Sequence, residues 1–315
     1  MGLAMVKRID VCMACYNGAA YLPAMLNSLR AQDDADFRIL MQDDGSADDT
    51  PRLLSAAAAD SRFVPAADSG RHFGAVGNFL SLLRQSDADY TALADQDDVW
   101  ETNRLSACRA ALADAEARYG TDTPLLVHSD CRLIDGQDQE LHASFFAHQG
   151  WDPSAVTLPR LLVQNNVTGC TLMMNAALRR LVTAHGTPEA MFMHDWFIAL
   201  TAAAFGHIIF VDQPLVRYRQ HGRNVMGASQ QTQLTRATKA LAAWNKGKER
   251  IALTYRHTAA FRTTFGDILP ADAQATITAY LATQKKPKML RVLAVQRGGY
   301  TMQSPITRAG QIIFG

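Results

Sequence analysis

An alternation of strand and helix patterns early in the chain is the feature that most constrains the fold. Short β-forming runs at residues 8–14, 37–41 and 89–94 each end in a polar turn, and helical patterns such as 19–30 and 101–119 lie between and after them. Strands that alternate with helices in this way pair in parallel through crossover helices. The pattern predicts an α/β fold with a mostly parallel central sheet flanked by helices.

Later segments extend this prediction. The first helix should bury an apolar stripe at Leu22, Met25, Leu26 and Leu29. Further strands are expected at 167–174, 207–211 and 215–219, and the irregular stretch at 136–159 predicts a long loop.

Three carboxylates within four residues follow the strand predicted at 89–94. The sequence at 95–98 is Asp-Gln-Asp-Asp. Such carboxylates repel one another and are costly to bury without compensation. Ligands bind at the carboxyl ends of strands in α/β sheets, so a hard divalent cation such as Mg²⁺ or Mn²⁺ is the compensation we favour. A solvated acidic turn is the alternative, and the tetrapeptide alone does not exclude it.

Composition places the chain among soluble globular proteins. It has 315 residues, of which 48% are hydrophobic and 19% charged. This is an ordinary balance for a protein with a sizeable core. No run of about 18 uncharged apolar residues is present, so we expect no transmembrane helix. The first residues lack the pattern of a signal peptide, and the cytoplasm is therefore the expected compartment.

The net charge of +1 hides an asymmetry along the chain. Residues 236–315 hold 13 Lys and Arg against three Asp and Glu, a charge of +10, whereas residues 1–235 carry −9. A basic tail on an acidic body suggests contact with an anionic surface. We expect a catalytic domain at 1–228 and a basic helical C-terminal region at 229–315.

Five cysteines are scattered along the chain without the spacing of a disulfide framework or zinc site. Cys12 and Cys15 form a Cys-x-x-Cys on the first predicted strand. Residues three apart on a strand point to opposite faces of the sheet. We therefore expect core packing and neither metal nor redox chemistry.

Six short motifs, in this order and spacing, resemble those of family 2 glycosyltransferases with the GT-A fold. They are Ala-Cys-Tyr-Asn-Gly at 14–18, Asp-Asp-Gly-Ser at 43–46, Asp-Gln-Asp-Asp at 95–98, Thr-Gly-Cys at 168–170, His-Asp-Trp at 194–196 and Tyr-Arg-Gln-His-Gly-x-Asn at 218–224. The resemblance covers about residues 9–227. The later motifs look most like the rhamnosyltransferase-like branch.

The resemblance implies a metal-dependent inverting transfer of a sugar from a nucleoside-diphosphate donor to an acceptor hydroxyl. The donor would be dTDP- or UDP-linked, with L-rhamnose as the sugar that the branch suggests. The acceptor would be a cell-surface polysaccharide or a lipid-linked glycan, and no nucleic-acid partner is expected. A divalent cation, Mg²⁺ or Mn²⁺, would stabilise the departing diphosphate as a Lewis acid.

The resemblance also assigns residues to the metal and the diphosphate. Asp97, the second aspartate of its motif, would be the metal ligand, and His221 would approach the metal or the diphosphate. Asp95 would hold the ribose hydroxyls or the water shell of the metal. Gln96 would lie on the donor side of the same turn, and Asp98 has no assigned role.

Other residues are implied at the nucleotide and the sugar. Asp44 resembles the family's base reader, because a carboxylate accepts a hydrogen bond from N3–H of uracil or thymine. A simple turn is the alternative for its motif. Tyr16 would pack near the base, and Asn78, or Arg71 near it, would reach the nucleotide. Gly169 would lie next to the donor sugar and the acceptor.

Asp195 matches the catalytic carboxylate of the family, which takes the proton from the acceptor hydroxyl. It starts a predicted helix, and the helix dipole tends to lower the pKa of a carboxylate there and to weaken it as a base. Asp is also common at helix starts for structural reasons. His194 beside it would tune that pKa or touch the acceptor.

Other functions remain open from the residues. A sugar-phosphate nucleotidyltransferase would show a Gly-rich, basic signature after the first strand, where this chain has Cys-Tyr-Asn-Gly at 15–18. A second alternative, from a different functional class, is a non-catalytic protein that binds an anionic polymer through the basic tail. For the tail itself we expect a peripheral membrane contact. A helical appendage packed on the body or on a second subunit is the alternative.

Overall fold

Four parallel strands form one half of the central sheet. In order across the sheet they are β3 (Phe63–Pro65), β2 (Phe37–Asp43), β1 (Ile9–Cys15) and β4 (Tyr90–Asp95). In the register Cys15 lies beside Asp43, and Ala14 lies beside Asp95. The turns after β1, β2 and β4 therefore meet at one edge of the sheet, as the parallel pairing predicts.

Helices cover this half of the sheet, and their bounds follow the apolar periodicity of the sequence. They are α1 (Leu22–Arg30), α2 (Thr50–Ala57), α3 (Gly74–Gln85) and α4 (Arg104–Tyr119). The stripe expected on α1 is buried at Leu22, Met25, Leu26 and Leu29. The expected α/β class is confirmed.

The other half of the sheet is mixed, because short antiparallel pairs join the longer parallel pairs that the sequence predicts. Across the sheet, β8 (Met173–Asn175) runs antiparallel between β4 and β6 (Leu125–Ile134), and β9 (His207–Arg219) runs parallel to β6. The short strands β5 (Val99–Trp100) and β7 (Glu140–His142) pair antiparallel with β9 and β6. A three-residue strand such as β8 carries too weak a periodicity to reveal its direction.

Three segments differ from their predicted form. The strand expected at 167–174 is a 3₁₀ turn, Gly169–Thr171, followed by β8. The two strands expected at 207–211 and 215–219 are one strand, because β9 continues past Pro214 through a break in its register with β6. A proline is tolerated at such an irregularity since no ladder hydrogen bond is lost there.

The loop expected at 136–159 has structure of its own. It contains β7, α5 (Phe145–Gln149) and the start of α6 (Leu158–Leu161). Asp130 on β6 accepts hydrogen bonds from the backbone N–H groups of Phe145 and Phe146, at 3.1 and 3.3 Å. Phe146 is buried, and the Phe145 ring meets Trp151 edge to face. These contacts fasten the loop to the sheet.

The remaining helices are α7 (Ala176–His185), α8 (His194–Phe205), α9 (Arg236–Phe265), α10 (Ala271–Thr283), α11 (Lys288–Arg297) and α12 (Pro305–Phe314). The last four form the expected C-terminal helical region. They pack on the sheet domain, since Phe197 of α8 meets Phe261 and Phe265 of α9. Residues of α8, α9 and α10 share one apolar cluster.

The structure is a computed structural model that describes residues 7–221 and 236–314. Gly222 and Asn224 of the last motif lie outside the described residues, as does the boundary expected between 228 and 229. Within the described ranges, no helix combines the length and the hydrophobicity needed to cross a bilayer.

The five cysteines are buried free thiols, as expected. Cys12 belongs to the apolar cluster on one face of the sheet, and Cys15 belongs to the cluster on the other. Burial raises the pKa of both thiols well above the usual range. They remain protonated at neutral pH, so the prediction of core packing is confirmed.

The packing of α9 on α8 predicts that the C-terminal helices stabilise the whole chain. Phe261 is fully buried, and its replacement by Ala leaves a cavity between α8 and α9. We expect Phe261→Ala to lower the free energy of unfolding by about 3–5 kcal/mol. Ile268→Ala, at a side chain that is 49% exposed, is the control and changes it by less than about 0.5 kcal/mol. Denaturant unfolding followed by circular dichroism measures both, and equal midpoints would contradict the prediction.

Candidate active site

Side-chain hydrogen bonds join the turns that follow β1, β2 and β4. Gln96 accepts from the Tyr16 N–H at 2.7 Å and donates to the Tyr16 carbonyl at 2.8 Å. The Asn17 side chain accepts from the Ala47 N–H at 2.8 Å, and the Asn17 N–H donates to Ser46 Oγ at 2.8 Å. These hydrogen bonds hold the three turns together at one edge of the sheet, which we call the joined edge.

Gly18 is required at this edge by close approach. A Cβ on Gly18 would lie 2.0 Å from Oε1 of Gln96, so no larger residue fits while Gln96 keeps its place. Asn17 before it has φ 48°, in the left-handed region where asparagine is the most tolerant non-glycine residue. Gln96, predicted on the donor side, uses its amide to hold the backbone of Tyr16.

The carboxylates of the turn at 95–98 are crowded. Burial, together with the charges of Asp97 and Asp195, raises the pKa of Asp95 to about 7. Burial, with the charges of Asp97 and Asp95, holds the pKa of Asp98 well above its usual range. Asp98 Oδ1 accepts a hydrogen bond from the Arg219 N–H at 3.0 Å. The cluster is short of positive charge, as the sequence predicts.

The end of β9 brings His221 to this turn. His221 Nε2 lies 2.7 Å from Oδ2 of Asp97, and both side chains are partly exposed. The imidazole stacks on Tyr21 with ring centroids 5.0 Å apart. Asp97 and His221 are 124 residues apart in sequence, and the fold brings the two predicted ligands together.

Arg219 connects this part of the site, and the sequence analysis gave it no role. Its side chain is 1% exposed. The guanidinium donates to the carbonyl oxygens of Asp97, at 2.7 Å, and Asp135, at 2.9 Å. It also pairs with Asp138 at 2.5 Å and lies over the Tyr21 ring. An arginine two residues before a predicted ligand, on a strand, is the signal that was available in the sequence.

Arg104 is a second buried cation that the sequence analysis missed. Its guanidinium lies 3.5 Å from the centroid of the Trp100 ring and donates to the Cys170 carbonyl at 2.6 Å. The side chain is fully buried, which lowers the pKa of its guanidinium, and Asp98 is among the groups that oppose this shift and favour the charged form. Arg104 therefore offsets part of the negative charge from beneath the turn.

The donor groups at this edge fit a hard divalent cation. Ligand atoms of Asp95, Asp98 and Cys170 lie within 4.8 Å of one another. Burial holds the pKa of the Cys170 thiol well above its usual range, so it is a poor ligand at neutral pH. The carboxylates, with the imidazole of His221, are the donor types that suit Mg²⁺ or Mn²⁺.

Asp195 lies at the first turn of α8. Burial raises its pKa to about 6, against the lowering effect of hydrogen bonds such as that from the Trp196 N–H at 2.6 Å. The tendency of a helix start to lower this pKa is therefore outweighed by desolvation. Its charge is also among the causes that raise the pKa of Asp95, after burial and the charge of Asp97.

Gly169 lies against the start of α8. A Cβ at Gly169 would lie 3.1 Å from Nε2 of His194 and 3.4 Å from Cβ of Asp195. His194 is buried and stacks on Phe79 with ring centroids 4.1 Å apart. Burial lowers the pKa of His194 to about 3, so this histidine is neutral and adds no positive charge beside Asp195.

The residues expected at the nucleotide differ in their exposure to solvent. Asn78 is 2% exposed on the buried side of α3, and its Oδ1 accepts no hydrogen bond from the described residues. Arg71 is exposed and pairs with Asp68 at 3.0 Å. Tyr16 is 49% exposed at the joined edge. Of these residues, Tyr16 and Arg71 are open to a ligand.

Asp44 lies in the turn after β2 and is buried against the first residues of α3. Oδ1 accepts from the Phe73 N–H at 2.6 Å, and Oδ2 accepts from the Gly74 N–H at 3.0 Å. His72, which the sequence analysis did not select, lies 3.0 Å from Oδ2 through Nδ1. Its ring is 5.5 Å from that of Tyr16. Asp44 thus links the turn after β2 to this exposed pair of rings.

Solved structures with the same architecture are glycosyltransferases. TarS of S. aureus, residues 1–349 in complex with UDP-GlcNAc, aligns over 98% of this chain and 89% of its own with a TM-score of 0.54 and 15% identity. The mannosyltransferase PcManGT from Pyrobaculum calidifontis, in complex with GDP-Man and Mn²⁺, covers 93% of this chain and 73% of its own at 0.53 and 15%. These likenesses show the GT-A fold.

Two curated relatives are similar in sequence over most of the chain. The dTDP-rhamnosyl transferase RfbG of Shigella flexneri is 25% identical over 69% of this chain and 74% of its own length. An uncharacterized glycosyltransferase of Nostoc, alr2836, is 26% identical over 69% of this chain and 66% of its own. The rhamnosyltransferase-like resemblance therefore has a relative of that description at low identity.

The family model for glycosyl transferase family 2 matches residues 10–181, more than half of the chain. The match contains the joined turns after β1, β2 and β4, and Gly169. Together with the GT-A architecture, it identifies the chain as an enzyme of the glycosyltransferase class. This chain belongs to glycosyl transferase family 2.

Proposed function

We propose that this glycosyltransferase is metal-dependent and inverting, and that it moves L-rhamnose from a dTDP- or UDP-linked donor to a hydroxyl of a cell-surface or lipid-linked glycan. The observation that carries the proposal is that Asp195 lies against Gly169, whose 3₁₀ turn leads to a hydrogen bond with β4 just before the acidic turn at 95–98. A cation site for a diphosphate and a carboxylate base for a hydroxyl are the two groups that such a transfer needs.

Asp97 and His221 would hold Mg²⁺ or Mn²⁺, with Asp95 on the ribose side or at the water shell of the metal. When bound, the cation offsets the negative charge that develops on the departing diphosphate. The protein contributes by keeping Asp97 in place, since Arg219 binds the carbonyl of that residue and the backbone of β9 supports Asp98. Asp98, which is buried, would support the turn through its hydrogen bond with the Arg219 N–H.

The donor would lie along the joined edge. Tyr16, held by Gln96, and Asp44 would form the base end, with Asn78 nearby on α3. Gly169 would leave room for the sugar, because any side chain there meets His194 and Asp195. The similarity to RfbG, a dTDP-rhamnosyl transferase, supports dTDP and rhamnose, and the UDP-GlcNAc complex of TarS supports a nucleotide sugar in general.

Asp195 would take the proton from the acceptor hydroxyl as that oxygen attacks the anomeric carbon. A base with a pKa near 6 is largely ionised at neutral pH and still binds the proton better than an ordinary aspartate does. His194, neutral and packed on Phe79, would keep the start of α8 in place. Residues 1–228 would form this catalytic domain, and residues 229–315 the helical region that supports α8.

The metal role predicts a loss of turnover when cation or ligand is removed. We would measure nucleoside diphosphate release from UDP-, dTDP- and GDP-sugars with Mg²⁺, Mn²⁺ or chelator. We expect a dTDP- or UDP-sugar to be used, and chelator or Asp97→Asn to lower turnover by about 100-fold or more.

Asp122→Asn, at an exposed turn, is the matched control and keeps wild-type turnover. Turnover that persists in chelator would contradict the metal role. Pyrophosphate release from a nucleoside triphosphate and a sugar phosphate would instead assign the chain to nucleotidyl transfer.

The base role predicts a pH profile. Because Asp195 accepts a proton only when it is ionised, kcat should rise about tenfold per pH unit below about 6 and level off above it. Asp195→Asn should lower kcat by roughly 10²–10⁴ and remove this limb while donor binding is retained. Asp212→Asn, exposed on β9, is the control. A near wild-type rate in Asp195→Asn would place the base elsewhere.

An exposed apolar surface on α11 and α12 supports the predicted membrane contact. Its large side chains are Met289, Leu290, Leu293, Ile312 and Ile313, all more than a third exposed. Lys288 Nζ donates to the Ile313 carbonyl at 2.9 Å, so the two helices meet at this surface. Lys285 and Lys286 precede it, and residues 273–315 contain no Asp or Glu.

The charge of this surface favours an anionic bilayer as its partner. Exposed basic and apolar side chains together suit the interface of an anionic leaflet. The cavity beneath the surface, beside Tyr255 and Val295, holds only about 20 Å³, roughly one water. It is too small for an acyl chain, so the contact would be with the bilayer surface at the inner face of the cytoplasmic membrane, where a lipid-linked acceptor is held.

Vesicle flotation tests this contact. We expect the full chain to float with vesicles containing phosphatidylglycerol and to stay behind with neutral phosphatidylcholine vesicles. Leu290→Ser with Leu293→Ser should abolish flotation, whereas Ile268→Ser, at a similarly exposed site on another segment, should not. Equal flotation with both vesicles would contradict the proposal. Dimerisation that the double substitution abolishes would assign the surface to a second copy of the chain.

A further inference from the structure

We propose that His72 reads the nucleobase of the donor and that Asp44 acts by holding His72. The proposal rests on the function proposed above, in which the donor is a nucleoside-diphosphate sugar. It changes the part played by Asp44, the residue that resemblance assigns to the base. The recognised class is a keto base with a ring N–H, uracil and thymine among them.

The contacts of Asp44 leave little of it for a ligand. Its side chain is 3% exposed, and its two oxygens accept the backbone N–H groups of Phe73 and Gly74 at the start of α3. The side chain of His72 is 67% exposed. A base that approaches this edge therefore meets the imidazole before it meets the carboxylate.

The tautomer of His72 follows from its neighbours. Nδ1 lies 3.0 Å from Oδ2 of Asp44 and 3.0 Å from the carbonyl oxygen of the same residue. Both neighbours are acceptors, so Nδ1 carries the hydrogen and donates it. In the neutral ring Nε2 is then an acceptor. Within residues 7–221 and 236–314 no hydrogen bond to Nε2 is formed.

Tyr16 supplies the stacking surface next to this acceptor. The two ring centroids are 5.5 Å apart and the planes are inclined by 46°. A base between them would need roughly 7–8 Å, two layers of carbon contact. The base therefore does not lie between the rings. It stacks on Tyr16, whose backbone Gln96 fixes, and turns one edge toward His72.

The acceptor at Nε2 distinguishes bases by their ring nitrogen. Uracil and thymine present N3–H, a donor that pairs with Nε2, and guanine presents N1–H. Cytosine has an acceptor at N3, which would oppose Nε2 and leave both groups unpaired. UDP and CDP differ at this edge alone, so the pair isolates the contact.

Calorimetric titration of the full chain with UDP and with CDP, in Mn²⁺, tests the proposal. We expect wild type to bind UDP about tenfold more tightly than CDP. His72→Phe keeps a flat ring beside Tyr16 and removes the acceptor. It should weaken UDP about tenfold, leave CDP within twofold, and bring the ratio of the two near one.

His142→Phe, which changes an exposed histidine on β7, is the matched control and should keep the wild-type ratio. His72→Gln restores an acceptor oxygen and should recover part of the preference for UDP. A wild-type ratio in His72→Phe, with UDP still bound, overturns the assignment of His72 and leaves the glycosyl transfer proposal standing. Wild-type chain that binds neither nucleotide overturns both.

Discussion

The repulsion among the crowded carboxylates at the end of β4 is the constraint on which the site depends. Desolvation and the charge of the neighbouring Asp97 both raise the pKa of Asp95 and of Asp98. Two buried arginines offset part of this negative charge. Arg219 donates a hydrogen bond to the backbone of the turn, and Arg104 interacts electrostatically with Asp98. Both arginines hydrogen-bond to backbone carbonyls at or near the turn, and Asp97, which is partly exposed beside His221, is the proposed cation ligand.

The proposed catalytic arrangement extends beyond the segment that the family model matches. The family match ends at residue 181, whereas Asp195 and His221 come later. Asp195 is carried by α8, and α8 packs against α9 of the C-terminal helices. His221 follows the end of β9, which pairs with β6. The site therefore depends on packing between the sheet domain and the helical region.

Local periodicity was sufficient to predict the strands and helices of the parallel half, since each has a clear apolar pattern bounded by turn residues. It failed for β8, whose three residues pair antiparallel on both sides. It also missed Arg219, Arg104 and His72 as functional neighbours. Each of these contacts partners far away in the chain, and the apolar periodicity of a segment does not report such partners.

By itself the sequence determined the α/β class, the family and the edge at which the acidic turns meet, because these follow from periodicity and motif order. Only the tertiary structure decided how the side chains there are used. Burial, which no motif reports, raises the pKa of Asp195 despite its place at a helix start. Long-range hydrogen bonds occupy Gln96 and Asp44 and leave Tyr16 and His72 exposed to a ligand.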